Sequence, residues 1–219
     1  MTTGKRAFLL DFDGLICDTE SAAHRSWAEE YSRYGLPFPA GVWHRMLGNP
    51  NGEQLALADM AAKIGTTNMA GVAERRASRK TQLCDQEPLR PGVKKLLEDA
   101  AAAEVVLAVV SSSGREWVQH HLTRLGVADY FLTLFTGERT RQHKPHPELY
   151  RLALHELRLP ARAALAFEDS PVGSTAASAA GVDCVVVPNA TSQPWTFGNA
   201  IAVLPDLTHF SAEEFAFST

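Results

Sequence analysis

The stretch RAFLLDFDGLICDTE, residues 6–20, joins an apolar run to two carboxylates and a glycine. Its run AFLL, residues 7–10, is short and continuously apolar, which predicts a buried strand. Asp11 and Asp13 follow directly, and both point to the same side because side chains alternate along an extended chain. Charges at the end of a core strand are costly unless they are hydrogen-bonded or bind a ligand, so the stretch indicates a functional site.

Similar apolar runs recur along the chain with helical patterns between them. Because these runs do not alternate with polar residues, they suit a parallel sheet covered on both faces. The further predicted strands span residues 104–114, 130–138 (the weakest), 162–170 and 182–189, and the predicted helices span 91–103, 115–126, 146–159 and 171–181. We therefore predict an α/β fold with a Rossmann-like parallel sheet as its core.

The segment from about 20 to 86 differs from the rest because it contains helical patterns and no strand-like run. Its predicted helices cover residues 21–35, 40–47, 52–65 and 69–84. In the third of them, Leu55, Ala58 and Ala62 are predicted to face inward, with Asp59 and Lys63 turned away. We predict an inserted α-helical cap domain at 18–86 and a catalytic core made of 1–17 and 87–219.

Composition excludes several classes of protein. The chain has 219 residues, is 45 % hydrophobic and 21 % charged, and carries a formal net charge of −4. It therefore offers no basic field for nucleic acid or an anionic membrane, and we expect a small-molecule partner. Cys17, Cys84 and Cys184 are too widely spaced for a disulfide framework or a metal site. With no export signal or membrane-spanning run visible, we expect a cytoplasmic protein. We also expect a monomer.

Polar residues gather where the predicted strands end, at the edge where open parallel sheets bind ligands. Taken alone, each cluster is an ordinary turn or helix cap. Together they indicate one site. The clusters are Asp11 and Asp13 after the first strand, Ser111, Ser112 and Ser113 after the second, Lys144 before the helix at 146–159, and Glu168 with Asp169 at the end of the strand at 162–170.

The arrangement resembles the haloacid dehalogenase-like hydrolase superfamily, in the phosphatase and β-phosphoglucomutase branch that carries a helical cap after the first motif. The resemblance covers the whole chain. It rests on DFDGLICDTE (11–20), VVSSSG (109–114), HKPHPELY (143–150) and FEDSPVGSTAASAAGV (167–182), the last being the most specific. The resemblance implies a Mg²⁺-dependent phosphatase that acts on a small phosphorylated metabolite, with a sugar or polyol phosphate expected.

The resemblance also implies a role for each residue of the core. Asp11 would attack phosphorus and form an aspartyl-phosphate, and Asp13 would protonate the leaving alcohol and then activate water. The Asp11 carboxylate, the Asp13 carbonyl and Asp169 would hold Mg²⁺, with Glu168 as a further ligand or outer-shell acceptor. Ser111, Ser112 and Lys144 would bind the phosphoryl oxygens.

The second aspartate of the first motif, Asp13, distinguishes between the reactions that members of this family catalyse. Dehalogenases and phosphonoacetaldehyde hydrolases lack it, so Asp13 makes carbon–halogen and carbon–phosphorus cleavage unfavoured. A phosphomutase remains the main alternative, since Arg25 and Trp27 match β-phosphoglucomutases. Those mutases carry a histidine where this chain has Ala23, and an arginine in a cap loop after a Lys-Gly pair, where this chain has Leu47-Gly48 and then Asn49. We therefore favour hydrolysis.

The cap is expected to choose the substrate. Its candidate substrate-reading residues are Glu20, His24, Arg45, Asn49 and Asn51. Trp27 and Trp43 stand at helical positions where packing into the core of the cap is the expected role. A third possibility, a non-catalytic sensor of phosphorylated ligands, is disfavoured because all four motifs are intact.

Overall fold

The computed structural model describes residues 4–47, 51–191 and 196–211. By its internal contacts the chain divides into two compact units. Residues up to Asp18 and those from Pro88 onward form an α/β unit, and Thr19–Glu87 form a helical unit. The predicted cap runs from 18 to 86. Within the described ranges, no helix is both long and apolar enough to cross a membrane.

The α/β unit contains a parallel sheet. Its strands are β1 (Ala7–Leu10), β2 (Val106–Val110), β3 (Thr133–Phe135), β4 (Ala164–Glu168), β5 (Asp183–Val186) and β6 (Ala202–Val203). The order across the sheet is β3-β2-β1-β4-β5-β6, and each adjacent pair runs parallel. β1 lies between β2 and β4, with Leu10 opposite Val109 and Phe167. The residues that follow these three strands therefore meet at one edge.

Two apolar layers cover the sheet. The helices of this unit are α5 (Val93–Ala102), α6 (Arg115–Arg124), α7 (Glu148–Leu157) and α8 (Pro171–Ala179). Phe8 and Leu10 belong to one buried cluster, with residues of α5 and α6, whereas Ala7 and Leu9 belong to a second cluster with residues of α7 and α8. Both faces of β1 are buried, which explains its continuously apolar sequence. The predicted α/β fold is confirmed.

The predicted strands are present but shorter than their apolar runs. The weak run at 130–138 contributes only the three residues of β3. β6 was not predicted, because two residues carry no readable periodicity. It pairs with β5 through Val185 and Val186 at the margin of the sheet.

The helical unit contains α1 (Thr19–Ser32), α2 (Ala40–Met46), α3 (Gly52–Ile64) and α4 (Met69–Cys84). Trp27 and Trp43 are buried in its core, as predicted. Ion pairs tie α1 to α4: Arg79 contacts Glu29 at 2.5 Å, and Arg75 contacts Glu30 at 2.5 Å. The helical unit thus has its own apolar core, and ion pairs join two of its helices.

The predicted inward face of α3 was wrong by about one residue. Ala56 and Met60 are fully buried, whereas Ala58 and Ala62 are exposed and Leu55 is only partly covered. The cause is a hydrogen bond between helices, which the pattern of apolar residues does not show. The Tyr31 hydroxyl of α1 donates to the Asp59 carboxylate at 2.8 Å, so Asp59 faces α1 instead of solvent.

Candidate active site

Asp11 is held at the sheet edge by the hydrogen-bond ladder. Its N–H donates to the Phe167 carbonyl at 3.0 Å, which extends the β1–β4 pairing one residue beyond the strand. The Lys144 ammonium donates to Asp11 Oδ1 at 2.6 Å, to Glu168 Oε1 at 2.6 Å and to the Val110 carbonyl at 2.7 Å. Asp11, Lys144 and Glu168 are all buried. Lys144 therefore joins β1, β2 and β4 at one point.

Burial and charge act in opposite directions on this pair. Burial raises the pKa of Asp11 well above its usual value, Lys144 opposes that rise, and the carboxylates of Glu168 and Asp13 add to it. Burial by itself would lower the pKa of Lys144, but Asp11 and Glu168 outweigh it and hold that pKa above its usual value. Lys144 is thus a fixed positive charge next to Asp11.

Three buried carboxylates converge beside Lys144. One oxygen each from Asp11, Glu168 and Asp169 lie within 4.8 Å of one another. Carboxylate oxygens are the ligands that Mg²⁺ prefers, and the single positive charge of Lys144 leaves this cluster with excess negative charge. A divalent cation would relieve that excess. By donor chemistry, charge and spacing, these residues fit a divalent cation such as the Mg²⁺ expected from the sequence.

Asp13 is oriented by three side-chain donors. Its Oδ2 accepts a hydrogen bond from the Ser113 hydroxyl at 2.6 Å and a longer one from Ser111 at 3.5 Å. Its Oδ1 accepts from the indole Nε1 of Trp117 at 3.0 Å. The serine loop after β2 and the first turn of α6 together fix this carboxyl group.

The turn after Asp13 requires glycine. Gly14 has φ +82°, and a Cβ there would lie 2.1 Å from Asp169 Oδ2. The Arg90 guanidinium donates to the Gly14 carbonyl and to the Pro188 carbonyl, the latter at 2.8 Å. Asn189, the next residue, donates to Asp169 Oδ2 at 2.7 Å. Arg90 and Asn189 thus link the turn after β1 to the metal-ligand candidates.

Glu168 is confined on two further sides. The Tyr150 hydroxyl of α7 donates a short hydrogen bond to Glu168 Oε1, and burial together with this carboxylate raises the pKa of Tyr150 well above its usual value. On the other side lies Gly173 of α8, where a Cβ would stand 1.7 Å from Glu168 Oε2. Glu168 can therefore move little.

The structure brings most of the predicted core residues together. Asp11, Asp13, Ser111, Lys144, Glu168 and Asp169 are joined by the contacts above. Ser112 belongs to the same loop but is exposed, and it is Ser113 whose hydroxyl contacts Asp13 at the shorter distance.

Four of the five predicted cap residues are described: Glu20 and His24 lie in α1, Arg45 lies in the last turn of α2, and Asn51 directly precedes α3. Glu20 is half-buried in the first turn of α1. His24 is half-buried, with its ring centroid 5.1 Å from that of Trp43, and burial lowers its pKa. Arg45 and Asn51 are exposed, and Asn49 lies outside the described residues.

Sequence reasoning missed five residues of this site, namely Arg90, Ser113 as the Asp13 partner, Trp117, Tyr150 and Asn189. Each acts from a loop or helix turn, where polar and aromatic residues are common and no spacing separates a site residue from its neighbours. Trp117 carried a weak signal, because it stands in the first helical turn after the serine loop. Tyr150 stood six residues after Lys144 in a quoted motif.

Comparison with known proteins adds independent support. Residues 8–187 match the family model of haloacid dehalogenase-like hydrolases. The chain is 36 % identical to the Bacillus subtilis protein YhcW over 185 residues, which is 84 % of each chain. It is 28 % identical to the phosphorylated carbohydrates phosphatase of Thermotoga maritima over 177 residues, covering 81 % of this chain and 82 % of that one.

A solved structure agrees in fold. CbbY from Rhodobacter sphaeroides, crystallised with phosphate, superimposes with a TM-score of 0.75 and 27 % identity, covering 95 % of this chain and 96 % of that one. A second crystal structure, of a CbbY mutant, contains xylulose-(1,5)bisphosphate. Together with the buried carboxylates around Lys144, these matches show that the chain belongs to the haloacid dehalogenase-like hydrolase family and is a phosphatase.

Proposed function

We propose that this protein is a Mg²⁺-dependent phosphatase that hydrolyses a small phosphorylated metabolite, of the sugar or polyol phosphate class, through an aspartyl-phosphate on Asp11. The observation that carries the proposal is the contact between Asp11 and Lys144 at 2.6 Å within a cluster of three buried carboxylates. Phosphoryl transfer needs an in-line nucleophile with positive charge beside it, and this edge of the sheet supplies both.

In the first half-reaction, Oδ2 of the Asp11 carboxylate, the oxygen other than the one that accepts from Lys144, attacks phosphorus. The bond from Asp11 to phosphorus forms as the bond from phosphorus to the substrate oxygen breaks, and Asp13 gives its proton to that leaving oxygen. Lys144 stands beside Asp11 as the positive charge next to the entering phosphoryl group. Ser111, whose Oγ accepts from the Ser113 N–H at 3.0 Å, would turn its single hydroxyl hydrogen from Asp13 Oδ2, which is 3.5 Å away, to a phosphoryl oxygen.

In the second half-reaction, the Asp13 carboxylate takes a proton from water as the water oxygen attacks phosphorus. The bond from phosphorus to Asp11 breaks, phosphate leaves, and Asp13 is again protonated for the next substrate. One residue thus serves as acid and then as base, which requires a carboxyl group held in a constant orientation.

Asp11, Asp169 and the Asp13 carbonyl would hold Mg²⁺, with Glu168 as a further ligand or outer acceptor. The ion would offset the repulsion between these carboxylates and a dianionic phosphate. Glu168 already accepts hydrogen bonds from Lys144 and Tyr150 through Oε1, which favours the outer role for that oxygen.

The substrate class is supported by what the relatives act on or bind. One is named as a phosphatase of phosphorylated carbohydrates, and CbbY was crystallised with a sugar bisphosphate. For this chain we propose that the cap residues Glu20, His24, Arg45, Asn49 and Asn51 contribute to the choice of substrate.

The test is phosphate release from a panel of sugar, polyol and sugar bisphosphate substrates, with and without Mg²⁺. We expect Asp11→Asn to abolish turnover, because an amide cannot act as the nucleophile, and to leave the circular dichroism spectrum unchanged. Asp183→Asn is the matched control, since Asp183 begins β5 and pairs with Lys5 at 2.6 Å, away from the site. Appreciable turnover by Asp11→Asn, or full activity in a chelator, would refute the proposal.

The phosphomutase alternative needs its own assay. The protein is incubated with β-glucose 1-phosphate and a trace of the 1,6-bisphosphate, and the sugar phosphates and free phosphate are followed together. We expect phosphate release to exceed isomerisation. The reverse ratio would replace hydrolysis by phosphoryl exchange within the same site.

A further inference from the structure

Trp117 contacts Asp13, the residue that the proposed function uses twice. The indole N–H donates to Oδ1 of Asp13 at 3.0 Å, whereas the serine hydroxyls occupy the other oxygen. Carboxyl groups of aspartate rotate readily about their terminal bond, so an unrestrained Asp13 would present either oxygen to a substrate. The Ser113 hydroxyl on Oδ2 and the indole N–H on Oδ1 hold the group in one orientation.

The ring of Trp117 is itself immobilised. It is half-buried in the first turn of α6 and packs against the apolar cluster that contains Phe8 and Leu10. Its ring centroid lies 4.2 Å from that of His121, and the two ring planes are inclined at 70°. A tryptophan has only two rotatable side-chain bonds, so this packing fixes the direction of its N–H.

The two oxygens of Asp13 are also made chemically different. An indole N–H donates and never accepts, so an acid proton on Oδ1 would face another hydrogen. A serine hydroxyl donates or accepts, which allows the acid proton to lie on Oδ2 beside Ser111 and Ser113. Ser111 is also the proposed phosphoryl ligand, so Oδ2 is the oxygen nearest the proposed chemistry.

We propose that Trp117 is a positioning residue that holds the Asp13 carboxyl so that Oδ2 delivers the proton to the leaving oxygen. The inference rests on the proposed function, in which Asp13 protonates the leaving group. It extends that function by adding Trp117. The effect of Trp117 on the rate should be larger for a leaving group that needs a proton to depart.

The test uses two aryl phosphates. Phenol is a weak acid and leaves readily only when protonated, whereas 2,4-dinitrophenol leaves as an anion. The value of kcat/KM reports the steps up to leaving-group departure, and its ratio between the two substrates does not depend on how much of a preparation is folded. We expect Trp117→Phe to raise the ratio of dinitrophenyl to phenyl phosphate about tenfold, part of the usual contribution of an acid catalyst.

Gln119→Ala is the matched control on the same helix. Gln119 is exposed, and its amide contacts Thr123 at 3.4 Å rather than the site. We expect the wild-type ratio in this variant. If Trp117→Phe yields no soluble protein, Trp117→Leu carries the same test, because leucine also has no group that can donate to Asp13.

A double-mutant comparison separates positioning from general damage. In an Asp13→Asn background, Trp117→Phe should cause no further loss of kcat/KM on phenyl phosphate, because its effect passes through Asp13. An unchanged substrate ratio in Trp117→Phe, or a further tenfold loss in the double mutant, would overturn the positioning role. Wild-type protein that releases phosphate from neither the two esters nor the sugar and polyol phosphates would instead overturn the proposed function, and this inference with it.

Discussion

Lys144→Met is the substitution whose effect on stability follows most directly from the structure. The Lys144 ammonium is buried and donates three hydrogen bonds, two of them to the carboxylates of Asp11 and Glu168 at 2.6 Å. Methionine fills similar volume but removes the charge and all three donors. Two buried carboxylates would then face each other and Asp169 without a cation.

The expected loss can be estimated from the contacts. Hydrogen bonds to charged groups contribute about 1.5–3 kcal/mol each to the free energy of unfolding. Their sum overestimates the loss, because removing Lys144 also removes the desolvation cost of burying its ammonium group. Measured losses on breaking one partner out of a buried ion pair are about 3–5 kcal/mol, because the remaining charge is left uncompensated. We expect a loss in this range for Lys144→Met in the metal-free protein.

Urea unfolding in a chelator is the assay. Adding Glu168→Gln to Lys144→Met should restore part of the loss, since the amide removes one of the two uncompensated charges. Added Mg²⁺ should stabilise Lys144→Met more than the wild type, because its carboxylate cluster carries one more net negative charge.

The control is Lys94→Met, an exposed lysine 3.9 Å from Glu98, which should change stability by less than about 0.5 kcal/mol. A loss below about 1 kcal/mol for Lys144→Met, or no recovery with Glu168→Gln, would refute the view that Lys144 neutralises this cluster.

Two further predictions concern a helix glycine and a cap histidine. Gly173→Ala should cost about 1–3 kcal/mol in urea unfolding, because its Cβ would lie 1.7 Å from Glu168 Oε2. Gly41→Ala in α2 should stabilise, because its Cβ would meet only the end of the Arg45 side chain at 3.9 Å; equal effects of the two substitutions would contradict this. Burial lowers the pKa of His24, so the unfolded chain binds its proton more tightly and stability should fall as the pH drops below about 6.5. Between pH 7 and 5.5, the free energy of unfolding should fall less for His24→Gln than for the wild type, and the control His155→Gln, at an exposed position, should follow the wild type. The same fall for His24→Gln as for the wild type would show that His24 is not the group responsible.

Prediction from the sequence succeeded where a pattern was both local and long. The continuously apolar run before Asp11 predicted a strand buried on both faces, and β1 has Phe8 and Leu9 fully buried on opposite sides. It failed where polar contacts decided the geometry. In α3 the alanine pattern allowed several inward faces, and the hydrogen bond from Tyr31 to Asp59 selected one of them.

The site shows the same division. Sequence alone predicted the carboxylates and the serine loop, since these follow strands and parallel strands end at one edge, and it predicted Lys144 from its place between a strand and the next helix. Only the tertiary structure decided what holds them. The partners Trp117, Tyr150, Arg90 and Asn189 come from helices and loops whose sequence separation from the site carries no periodicity. Their contacts exist because packing of the sheet and its two helical layers brings distant N–H and O–H donors to buried carboxylates, which need partners once water is excluded.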